Sequence, residues 1–246
     1  MTFVILTKAG VTAVNKLSSN KNKLTVYTEL CYLFGLIAMS LGTAMIAVAN
    51  IGVALPVVPA HVIHGLLHDF HWITLGMIEI ACQVVLFVML SVICRKIKRS
   101  FLISMGTGVV YGVLLDLFIE LFELLPHGAL TSALVFGGGL ISLIIGEILL
   151  HYTYVQSEFY EFFVHELSVL KKWRFFKVKI TFELILCLVG VIVSFVFHGV
   201  GEVHGLGIGT LICTLCIIPG SKIMGAHLNK NVSFVDGFKI REFFRD

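Results

Sequence analysis

The sequence predicts an all-α, polytopic membrane protein. Six transmembrane helices form two inverted three-span repeats, each with a short re-entrant or interfacial helix. Three observations predict it. The chain is 58% hydrophobic and only 13% charged, with a mean hydropathy of +0.99. Soluble domains are about half apolar and about a quarter charged, and a soluble fold of 246 residues has too little interior to hide such a surface. Six stretches are long and apolar enough to cross the roughly 30 Å hydrocarbon layer. Finally, every Lys and Arg falls on alternate sides of those stretches.

The spans are read at 27–49, 72–94, 101–124, 128–151, 178–198 and 205–226. Lipid offers the backbone no hydrogen-bond partner, so each must be helical. The basic residues lie before the first span (Lys8, Lys16, Lys21, Lys23) and after the second (Arg95, Lys96, Lys98, Arg99). They recur after the fourth (Lys171, Lys172, Arg174, Lys177, Lys179) and in or after the sixth (Lys222, Lys230, Lys239, Arg241, Arg245). The loops near 50–71, 125–128 and 199–204 hold none. Cationic loops stay in the cytoplasm, so both termini are expected there. The division follows: 1–23 a cytoplasmic amino-terminal segment, 24–226 one membrane domain, and 227–246 a cytoplasmic basic tail.

Two segments are neither spans nor simple loops. Asn50 to His71 carries Pro56 and Pro59, and proline suits the first turn of a helix, where the N–H is unpaired anyway. Tyr154 to Leu170 is its counterpart on the inner side. The halves 24–124 and 128–226 align with a constant offset: Gly42 falls on Gly146, His61 on His165, Leu66 on Leu170 and Glu79 on Glu183. Each half has an odd number of spans, so the second must be inverted relative to the first. Inverted repeats with short or broken segments are typical of secondary transporters.

Several short motifs punctuate this order. They are Leu41-Gly42, Asn50-Ile51-Gly52-Val53-Ala54-Leu55-Pro56, Gly106-Thr107-Gly108 with Asp116, Gly207-Ile208-Gly209-Thr210, and Pro219-Gly220. Their arrangement over roughly 27–228 resembles the YczE/YyaS/YitT group of bacterial membrane proteins, YczE-like members in particular. The resemblance implies a multi-pass protein of the bacterial plasma membrane. The chain departs from the group's pattern after the fourth span. There a second Gly–Pro motif is replaced by Val155-Gln156-Ser157-Glu158-Phe159-Tyr160.

Acidic residues inside spans cost about 2.5–3.5 kcal/mol each on insertion scales and face a bundle interior or a wet cavity. Glu79, Asp116 and Glu183 are therefore candidate ligands for a solute, cation or proton, with Asn50, Gly52, Pro56, Gly106, Thr107 and Gly108 as further candidate substrate- or ion-binding residues. Glu147 lies nearer the membrane edge and is expected to snorkel to the interface. His61, His64 and His68 share one helix face, and imidazole suits Zn, Cu or Ni. A wet, histidine-rich interfacial face is the plainer reading, since only Asp69 is near enough to complete a site. His165-Glu166 misses the zinc-protease pattern because position 169 is Val. Cys213 and Cys216 lie in an apolar span, where thiols are inert. No phosphate-binding or dinucleotide motif occurs.

The sequence thus points to a secondary transporter or permease for a small solute or ion, not to an enzyme, and to no cofactor. The alternative is a non-transporting accessory, scaffold or sensor protein that uses its small-residue faces to hold a partner. The partners read from the sequence are the bilayer, anionic inner-leaflet lipids that match the basic loops, and a small solute or ion. Self-association is left open, and nucleic acid is not expected.

Overall fold

A computed structural model describes residues 24–70, 72–126, 128–155, 157–198 and 207–237. The expected segment 1–23, His71, Gln156, the loop 199–204 and the end of the tail lie outside the described residues. Strand β1 (Leu24–Tyr27) leads into α1 (Thr28–Ala49). A 3₁₀ turn (Leu55–Val57) and α2 (Val58–Leu66) follow, then α3 (Leu75–Cys94), α4 (Arg99–Glu123) and α5 (Ala129–His151). The second half continues with α6 (Phe159–Lys171), α7 (Phe175–His198), α8 (Ile208–Asn231) and strand β2 (Val232–Val235). Among the described residues six helices, α1, α3, α4, α5, α7 and α8, are long and apolar enough to cross a membrane. The chain is built as a multi-pass helical membrane protein. Its outer surface fits that solvent: Val85, Val88 and Val92 on α3, and Leu184, Leu188 and Ile192 on α7, stand exposed at helical spacing.

Local chemistry sets the helix ends. Asn50, Arg95 and Lys172 stop α1, α3 and α6 in the left-handed conformation, at φ 52, 53 and 55°. Each turns its N–H back onto a carbonyl of the last turn. Thr74 caps α3 by accepting the Met77 N–H at 3.3 Å. Pro56 and Pro59 open the short 3₁₀ and α2 segments, as their spacing predicts.

The most extensive helix pair is α1 with α5, which run antiparallel. Lipid supplies no hydrophobic drive between helices, so close packing of small residues must hold them together. Here the backbones touch. A Cβ on Gly42 would strike the Leu143 backbone and lie 2.7 Å from the Gly139 carbonyl oxygen. A Cβ on Gly146 would strike the Met39 backbone and lie 2.8 Å from the Gly35 carbonyl oxygen. Midway between them, Ser142 Oγ donates to the Ala38 carbonyl at 2.8 Å. The short helices cross over to the other half of the chain. Val58 and Pro59 of α2 pack on Gly190 of α7. In turn, α6 packs on α3, where Gln83 Oε1 accepts the Phe159 N–H at 3.2 Å. Phe87, Phe101, Phe159 and Phe162 seal that contact edge to face.

The all-α expectation holds, with two details that the sequence reading did not include. The strands β1 and β2 form a parallel pair with Leu24 opposite Val232 and Tyr27 opposite Val235. Glu29 braces this pair by accepting the Gly237 N–H at 3.1 Å and the Tyr154 hydroxyl at 2.8 Å. Four-residue strands give no periodic signal of their own, and these two meet only through tertiary packing. In addition, α8 runs on to Asn231, past the expected end of the membrane domain at 226.

Candidate functional site

The short helices begin where the spans converge, around an internal cavity of about 60 Å³. Every half of the chain contributes charge to it. Glu79 comes from α3, Glu147 from α5, Glu158 and Glu161 from the start of α6, and Lys179 and Glu183 from α7. Pro56 and its neighbours Leu55 and Val57 form an apolar wall, with Met39 and Leu143 opposite.

The polar groups that line the cavity fall into two sets, here called lobes. In the first, the Lys179 ammonium pairs with Glu147 and Glu161, and Glu183 lies 3.8 Å away, one turn along the same helix. Ser221 Oγ donates to the second oxygen of Glu147 at 3.1 Å. The Lys179 side chain is only 8% exposed. A buried lysine stays charged only with such partners.

The second lobe holds Glu79, Glu158 and Tyr160, which are 1%, 4% and 4% exposed. One oxygen of Glu79, one of Glu158 and the Tyr160 hydroxyl make no hydrogen bond. Tyr160 neighbours Glu79, and the fully buried Tyr111, whose hydroxyl donates to Thr43 Oγ1 at 3.0 Å, completes the wall. Burial pushes the Glu158 carboxyl well above its usual range; Glu79 and Glu161 add to the effect and Lys179 opposes it. Burial, then the neighbouring carboxylates, likewise push the Tyr160 hydroxyl up. Gln83, one turn after Glu79, holds the first turn of α6 through Phe159 and so presents Glu158 and Tyr160 to the cavity.

Of the residues singled out by sequence, Glu79, Glu183 and Pro56 come together here. Asp116 lies elsewhere. Its two oxygens accept from Thr74 Oγ1 at 2.6 Å and from the Gly76 N–H at 2.7 Å, which ties the first turn of α3 to α4. Asn50 ends α1 beside a separate, wider opening of about 460 Å³ formed with the end of α4 and the start of α5. Gly52, at φ 153°, packs against Gly209 and Thr210, and the adjacent Val53 N–H donates to Thr210 Oγ1 at 3.1 Å. Gly108 is pressed on the Gln83 amide, Thr107 Oγ1 is bonded to the Tyr32 hydroxyl at 2.9 Å, and Gly106 has open space beside it. Among the described residues no three His, Cys, Asp or Glu side chains are grouped to hold a metal ion, so His61, His64 and His68 are not joined into a ligand set. His68 instead meets Asp69 at 3.2 Å on the exposed surface.

Two sequence expectations are corrected. Glu147 does not snorkel outward but turns in to Lys179 and Ser221. Lys179 is not a loop cation but the central cation of the cavity. The Lys179–Glu183 spacing of four within an apolar run was the available signal. Glu158, Tyr160 and Glu161 carried none, because they lie outside the spans and enter the bundle only when α6 folds back. They begin at the stretch where the chain departs from the motif order quoted above.

No curated protein and no solved structure matches the chain. The sequence pattern of a family of unknown function, DUF6198, matches residues 26–224, nearly all of the described structure, and the chain belongs to that family.

Proposed function

We propose that the chain is a secondary transporter or permease for a small solute or ion, with the buried acidic cavity as its coupling site. One observation carries the reading: five carboxylates and a lysine line a small cavity inside a six-span bundle. Each ionised group in the membrane interior is costly and marks an ion or proton path. Buried ion pairs rarely add stability over apolar packing of the same volume. A purely structural role would therefore favour hydrophobic residues at these positions.

The repeat architecture supports the same reading. Gly35 and Gly42 of α1 correspond to Gly139 and Gly146 of α5 under the sequence offset, and the contact of Gly42 with Gly139 recurs as Gly146 with Gly35. Ser142 and Ala38, which are joined by a hydrogen bond, are themselves 104 residues apart, which is the offset itself. These paired contacts support the reading of two inverted repeats meeting on a pseudo-two-fold axis, each with a short helix re-entering the other's half. The likeness to YczE-type proteins of the bacterial plasma membrane fits the same arrangement. The scaffold alternative needs free small-residue faces, but these glycines are occupied inside the bundle.

In proteoliposomes, Glu79→Gln is expected to cut gradient-driven proton or cation flux by about tenfold or more, since it removes a charge from the path. Asp116→Asn is expected to leave flux within about twofold, because Asp116 holds a helix end. Equal flux in wild type and Glu79→Gln would remove the cavity from the mechanism. For orientation, a reporter fused after residue 97 is expected in the cytoplasm, and one inserted between residues 61 and 70 outside. The opposite pattern would invert the assigned topology.

A further inference from the structure

The cavity already holds one ammonium group, supplied by the chain itself. In one lobe, a tethered primary ammonium, that of Lys179, is held by Glu147, Glu161 and Glu183. In the other, two carboxylate oxygens, Glu79 Oε2 and Glu158 Oε2, and the Tyr160 hydroxyl, which both donates and accepts, stand without a hydrogen-bond partner. All three residues are more than nine-tenths buried and line the same cavity. Leaving a buried polar atom unpaired costs about 1–3 kcal/mol, more if it is charged. Three such atoms in one place mark a position for a donor-rich guest.

We propose that the lobe formed by Glu79, Glu158 and Tyr160 is a binding site for a small ammonium-type cation: ammonium itself or a short primary amine. A primary ammonium offers three N–H donors and no acceptor, which the open oxygens of Glu79 and Glu158 and the lone pairs of the Tyr160 hydroxyl can take, while the hydroxyl's own proton is left for the neighbouring Glu79. Tyr111 and Tyr160 add aromatic rings to the wall, and a desolvated organic cation favours such rings. The size agrees. A water needs roughly 10–15 Å³ on the same measure, so the whole cavity, at about 60 Å³, has room for no more than a guest of a few non-hydrogen atoms. A metal ion suits the lobe less, because among the described residues no third carboxylate or imidazole joins the pair. The inference deepens the transport reading, on which it rests for the guest's movement but not for its binding.

The test uses the full chain in detergent or nanodiscs, and the probes are the chlorides of ammonium, methylammonium, sodium and tetramethylammonium at equal ionic strength. Ammonium and methylammonium are expected to raise the melting temperature by several degrees, on the order expected for a ligand well above its Kd. Sodium and the bulky tetramethylammonium are expected to leave it unchanged. Glu79→Gln and Glu158→Gln should each abolish the shift, and Glu120→Gln, on an exposed position of α4, should keep it. An equal shift with sodium or tetramethylammonium overturns the assignment. So does a shift retained in both cavity variants, or stabilisation by acid alone with no response to any cation, which would make the guest a proton. The probe series on the wild type decides the matter even where a variant fails to fold. Ammonium binding without flux sinks the transport reading only, and flux without ammonium binding sinks this site only.

Discussion

The Lys179→Met protein is expected to lose about 3–5 kcal/mol of stability, the range for removing one partner of a buried ion pair. Methionine has nearly the lysine's length, so the loss comes from charge and not from a void. Glu147, Glu161 and Glu183 would be left facing one another with no cation between them. The measurement is thermal unfolding of the purified protein, where a drop on the order of 10 °C is expected. The coupling is specific. Adding Glu161→Gln to Lys179→Met is expected to restore part of the loss, whereas Glu161→Gln alone in the wild-type background destabilises. Such non-additivity belongs to groups in one network. A Lys179→Met protein that melts within about 1 °C of wild type, far inside that range, would show that the ammonium is solvated after all.

The second large effect lies at the α1–α5 crossing. Gly42→Val and Gly146→Val each place side-chain atoms where the partner helix has backbone. A rotamer change cannot relieve a clash with main chain, so the helices must separate. The expected cost is roughly 3 kcal/mol or more for each, at the top of the range for overpacking. The readout is the yield of monodisperse protein and its melting temperature. Gly106→Ala and Gly137→Ala are the controls, since a Cβ at either position meets nothing within 4 Å. They should match wild type or gain slightly from the better helix former. Equal damage at all four glycines would mean that helix propensity, and not the crossing, sets their role.

The contrast between these two regions explains what could be read from the chain alone. The spans were legible because lipid imposes a length and the basic residues bracket it: α3 ends at Cys94, directly before Arg95. The glycines of α1 and α5 were legible as a matched set through the offset that pairs Gly42 with Gly146. Glu79 and Glu183 stood out because a carboxylate in an apolar run has few innocent explanations. Asp116 stood out by the same rule, yet its oxygens go to Thr74 and Gly76, and no linear pattern separates a helix-capping carboxylate from a ligand. Lys179 was hidden by the counting that oriented the spans, since that rule treats every lysine near a loop alike. Glu158 and Tyr160 were hidden because their role exists only once α6 has docked on Gln83.

The strand pair that joins the two ends of the bundle's chain has a consequence for biogenesis. Leu24–Tyr27 waits for a partner that is synthesised about two hundred residues later, as the 208-residue separation of the adjoining Thr28–Asp236 bond records. Until then β1 offers a bare edge to any extended segment nearby. Once the helices are seated, joining two ends already held close costs little further entropy. The strand pair therefore fastens the last helix to the first, and its pairing is expected to follow the packing of the helices between them.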